Sequence, residues 1–91
     1  MKDKNIVVAK AQALGAMAFV MNAGFEHASL KCSTVEVSLT VWCDTLGGLQ
    51  LAESMLKPFM TDGCSLRDNY LSETETYYLE IEWPFPYYDA R

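Results

Sequence analysis

The chain has 91 residues, 51% of them hydrophobic and 21% charged, with a net charge of −5. That supplies one hydrophobic core, leaves no room for two domains, and excludes a disordered chain. The charge argues against direct nucleic-acid binding: gripping phosphate needs clustered Lys and Arg, and residues 46–91 hold three basic against eight acidic side chains.

Residues 4–23 predict the first helix. They are rich in Ala, Met and Leu and free of Pro, with Asp3 as N-cap and Gly24 as a left-handed stop. At 100° per residue, Ile6, Val7, Ala13, Leu14, Met17, Ala18 and Met21 form one broad stripe, expected to be core. Val8 and Phe19 fall on the other side, so the helix is apolar on more than one face. Either the chain covers them itself or a second copy does, which makes Val8 and Phe19 candidate dimer contacts. The same segment has a basic start and an apolar run, as a signal peptide would. Asp3, Lys10 and Gln12 interrupt that pattern, and the apolar run over residues 13–21 is too short to span a bilayer. A soluble, cytoplasmic protein is expected, with no membrane contact.

"TVEVSLTVWC", residues 34–43, predicts a strand by strict alternation. Val35, Val37, Leu39, Val41 and Cys43 share the core face. Glu36 and Trp42 lie on the other, more polar face. Asp44 then caps a second helix over 45–57, with Leu46, Leu49, Ala52, Leu56 and Phe59 as its stripe and Pro58 as its stop. Asp62-Gly63 marks a turn before a short strand, Cys64 to Asp68. "NYLSE" reads as a connection. "TETYYLEIEW", residues 74–83, predicts a third strand with Tyr77, Leu79, Ile81 and Trp83 inward and Tyr78, Glu80 and Glu82 outward. "ASLKC", residues 28–32, could add a further short strand.

The order α-β-α-β-β predicts a single α+β domain over residues 1–91, a two-layer sandwich. Two helices would cover one face of a small three-stranded sheet. The strand–helix–strand unit would be a right-handed crossover and the last two strands a hairpin. After Pro84 an aromatic tail, residues 84–91, would fold back over an apolar helix face. Phe85, Tyr87 and Tyr88 would be contact residues wherever they stay exposed.

Chemistry-bearing motifs are scarce. His27 is the only histidine and has no fixed catalytic partner in the sequence. Cys32, Cys43 and Cys64 match no zinc spacing, and reduced thiols are the simple expectation. Cys43 at a helix start could be an activated thiol, but its core-facing phase points to an inert one. "LGG" at 46–48 lacks the lysine and spacing of a phosphate loop. The acids of the second half fit no calcium loop. No catalytic residue, metal site or cofactor is therefore expected, and the chain does not read as an enzyme.

One pattern stands out. If the first and third long strands share a sheet, Glu36, Glu80 and Glu82 gather on one outer face with Trp42 and Tyr78. Like charges facing one another in a sheet are unfavourable. A face that keeps them suits a protein partner with a basic surface. The expected function is a small protein-binding module acting by surface occupancy, such as a phage- or plasmid-type inhibitor or adaptor. The alternative is a homodimeric structural or small-ligand-binding domain.

Overall fold

A computed structural model describes residues 2–60 and 63–85. Helix α1 spans Lys2–Asn22, strand β1 Ala28–Cys32, strand β2 Glu36–Cys43 and helix α2 Leu46–Leu56. A 3-10 turn, Lys57–Phe59, leads on to β3, Ser65–Leu71, and β4, Thr76–Pro84. The class is α+β as expected, but the sheet has four strands in the order β1-β2-β4-β3, every neighbouring pair antiparallel.

Three details differ from the three-stranded expectation. β1 is a full strand, paired with β2 from Ala28↔Val41 to Cys32↔Val37. Its signal in the sequence is faint because it is a half-exposed edge, with only Ala28 and Leu30 packing inward. In addition, β3 does not sit beside β2. The crossover through α2 returns β3 in the direction of β2 but one place further out, and β4 fills the gap antiparallel to both. β3 is also longer than expected: Asn69, Tyr70 and Leu71, read as a connection, pair with Tyr78, Tyr77 and Thr76.

The core lies between the inner sheet face and both helices. Val37, Leu39, Val41 and Cys43 of β2 meet Leu79, Ile81 and Trp83 of β4, all buried. Val35, expected with them, precedes β2 and is exposed. α2 contributes Leu49, Ala52 and Leu56. α1 contributes Ala9, Ala13, Ala16 and Val20. This last set corrects the predicted stripe. The face of α1 toward the sheet is the small one, which lets the helix axis approach closely. Of that stripe Ala13 is buried as expected, whereas Val7, Leu14, Ala18 and Met21 are exposed. Ile6 and Met17 are only partly buried.

Local chemistry explains the boundaries. α1 begins at Lys2, so Asp3 lies within it instead of capping it. Its end is a Schellman motif. Gly24 adopts φ 108°, the Phe25 N–H donates to Val20 O at 3.1 Å, and the Gly24 N–H donates to Met21 O at 3.1 Å. Carbonyls that would otherwise be orphaned are thus satisfied. α2 is capped by Thr45, one residue after the expected Asp44; its hydroxyl accepts from the Gly48 N–H at 3.0 Å. α2 ends at Leu56, just ahead of Pro58 as expected, and Pro58 sits in the 3-10 turn that follows.

β4 runs one residue past Trp83, through Pro84. The Phe85 N–H donates to Val35 O at 2.8 Å, extending the bonding to the β2 side. In an antiparallel ladder successive residues bond to alternate sides. Pro84 therefore faces the β3 side, where β3 has already ended at Ser65 opposite Glu82. Proline loses no bond there.

Candidate functional site

The outer face of the sheet is built by the same alternation that builds the core. Registers place Thr40 beside Glu80, Ser38 beside Glu82, and Trp42 beside Tyr78. β3 adds Ser65 beside Glu82, Arg67 beside Glu80 and Asn69 beside Tyr78. β1 adds Ser29 beside Thr40 and Lys31 beside Ser38. Glu36, Trp42, Tyr78, Glu80 and Glu82, the predicted contact residues, are thus brought onto one face. They are half-buried, and both helices pack on the opposite side of the sheet.

The electrostatics are unbalanced. Arg67 reaches across from β3 with one nitrogen, Nη2, at 2.8 Å from Glu80 Oε1 and 2.9 Å from Glu82 Oε2. The Ser65 hydroxyl donates to the other Glu82 oxygen at 3.1 Å. Glu36 has no ion pair among the described residues. Its carboxyl is pushed above the usual range by desolvation first and then by the charges of Glu82 and Glu80. A hydrogen bond with Glu82 adds to this and Arg67 opposes it. One guanidinium thus pairs with two of the three carboxylates. The exposed ion pairs contribute little stability individually, roughly 0–1 kcal/mol each.

Arg67 is the residue that the sequence did not single out. Its phase was available: Leu66 faces the core, so Ser65, Arg67 and Asn69 must face out. What was missing was the register of β3 against β4.

The remaining predicted positions separate. Phe85 is only 3% exposed and belongs to the core, which corrects its assignment as a contact residue. It continues the inward series Leu79, Ile81, Trp83 past Pro84. Tyr87 and Tyr88 lie outside the described residues, as does the rest of the tail that was expected to cover a helix. Val8 and Phe19 are exposed, and the Phe19 ring leans on Phe59 with centroids 5.6 Å apart.

The weaker chemical candidates gain nothing. His27 is exposed in a shallow open cleft with Glu26, Trp42, Asp44 and Thr76; its backbone carbonyl accepts from the Trp42 N–H at 2.9 Å. Cys43 is buried, and burial, with Asp44 adding to it, pushes its thiol pKa up. That is the reverse of an activated nucleophile. The Gly48 N–H at the start of α2 is taken by Thr45, which removes one donor from any anion cradle. Among the described residues no group of His, Cys, Asp and Glu could hold a metal ion. Nor is any helix among them long and apolar enough to cross a membrane. No protein-family model matches the chain, and no curated protein matches it.

Proposed function

We propose that the chain is a small cytoplasmic protein-binding module whose open sheet face docks a basic surface of another protein and acts by occupying it. The observation that carries this reading is the trio Glu36, Glu80 and Glu82 on the sheet face opposite both helices, flanked by Trp42 and Tyr78, with Arg67 making the only ion pairs to them among the described residues. A fold with no use for the face would be relieved by a neutral residue at position 36. Carboxylates beside flat rings match a guanidinium-rich surface in both charge and stacking. Occupying such a surface would make the module an inhibitor or an adaptor.

The test uses Glu36→Lys, which removes an unpaired charge and places a cation beside Glu82. Immobilised wild-type chain should capture a basic protein from a source-cell lysate and release it with salt, whereas Glu36→Lys should not. Circular dichroism of the two proteins should match. Equal capture by a folded Glu36→Lys chain would remove this face from consideration.

A further inference from the structure

The outer side of α1 carries a second hydrophobic seam. Val7, Ala11, Leu14, Ala18 and Met21 follow one another at steps of four, three, four and three residues, and every one is exposed. The inward set Ala9, Ala13, Ala16 and Val20 runs at four, three and four on the other side of the same helix. Alternating steps of three and four keep a seam aligned with one neighbouring helix. The sheet satisfies the inner seam. Among the described residues nothing covers the outer one, where Val7 is 63% and Leu14 54% exposed.

A helix face meant for water carries charge, but residues 11–25 contain no Asp, Glu, Lys or Arg. Nothing in that stretch would select a charged foreign partner. The order of sizes points instead to self-pairing. Large and small residues alternate symmetrically about Leu14: Val7, Ala11, Leu14, Ala18, Met21. An antiparallel copy turned about a two-fold axis at Leu14 sets Val7 against the other chain's Met21 and Ala11 close to its Ala18. Leu14 then meets Leu14. Bulky residues fill the space between helices at the ends and centre, and alanines allow close approach between them. Antiparallel packing also opposes the two helix dipoles favourably.

We infer that the chain self-associates through this seam as an antiparallel α1–α1 pair, with Leu14 on the two-fold axis. This leaves the acidic sheet face on the outside of both protomers and does not depend on its function. Phe19 is not central to the pair, because its ring already packs on Phe59. The seam is about 21 Å long at 1.5 Å per residue, shorter than a standard interface. A dimer of roughly micromolar affinity is therefore expected.

Sedimentation equilibrium of the full chain decides it. The wild type should reach twice the monomer mass by about 100 μM, well above a micromolar Kd. Leu14→Asp, at an exposed position, should stay monomeric there with an unchanged circular dichroism spectrum. In a Cys32→Ser background, mixed Val7→Cys and Met21→Cys chains should cross-link to each other on oxidation, and neither should do so alone. A monomeric wild type at about 1 mM overturns the inference. So does a dimer that survives Leu14→Asp, or cross-linking of Val7→Cys to itself. A full-length monomer that dimerises once residues 86–91 are removed also overturns it, since the chain's own C-terminal segment would then be the occupant.

Discussion

The indole N–H of Trp83 donates to the carbonyl oxygen of Phe59 at 3.0 Å. This bond fastens the centre of the sheet to the 3-10 turn behind α2. Trp83 is 1% exposed, and the bond gives the side chain's one polar atom a partner. Trp83→Phe strands the Phe59 carbonyl and leaves unfilled volume. It should cost about 2 kcal/mol, measured as a lower urea midpoint with an unchanged slope. Equal midpoints would show that the turn is not anchored this way.

Glu36 makes stability depend on pH in a specified direction. Its folded pKa is raised above that of an ordinary glutamate, so the folded chain holds this proton more tightly than the unfolded one. The stabilising contribution is complete below the unfolded pKa and is lost as pH rises through the folded one. At pH 7 the ionised group therefore destabilises. Glu36→Gln should unfold at higher urea than wild type at pH 7, and the difference should shrink on acidification below the carboxylate range. A constant difference from pH 7 to pH 3 would contradict the assignment.

The β3–β4 hairpin contains Glu75 at φ 53°, the only non-glycine residue with positive φ among those described. A side chain in the left-handed region costs roughly 1–2 kcal/mol, partly offset in glycine by its freer unfolded state. Glu75→Gly should gain about 0.5 kcal/mol and Glu75→Val should lose at least about 1 kcal/mol. Thermal unfolding of both variants reads this, and the two shifts must have opposite signs.

The thiols should label in a fixed order. Cys32 is exposed and Cys43 is buried with a raised pKa. In the native protein a maleimide should modify Cys32 quickly and Cys43 only on the timescale of global opening. Fast modification of Cys43 under native conditions would mean the start of α2 is looser than its Thr45 cap implies.

The parts of the fold that were legible in sequence are those with a single buried face. Strict alternation from Glu36 to Cys43 and from Thr76 to Trp83 set the sidedness of β2 and β4 without any knowledge of neighbours. It therefore put Glu36, Trp42, Tyr78, Glu80 and Glu82 on one side. α1 was harder, because an all-round apolar helix does not reveal which face approaches the sheet. Hydrophobicity favoured Val7, Leu14 and Met21; closeness of packing selected Ala9, Ala13 and Ala16. Pro84 misled for a related reason. Proline is excluded where its nitrogen must donate, and whether it must donate depends on where the next strand ends. That is a matter of register, which alternation does not encode. The same gap hid Arg67.

Among the described residues β4 is the only strand or helix that β3 neighbours, Leu66 is its one side chain packed against the core, and most of its residues are exposed. It is the first element expected to exchange its amide hydrogens, at a free energy well below that of β2 and β4. Arg67 rides on this strand. Were β3 to open, Glu80 and Glu82 would lose the counter-ion that Arg67 supplies, while the β2–β4 pairing would keep the carboxylates in place. Opening of that strand would therefore raise the negative potential of the sheet face. A rival cation arriving during such an opening would meet three vacant carboxylates on an unmoved frame.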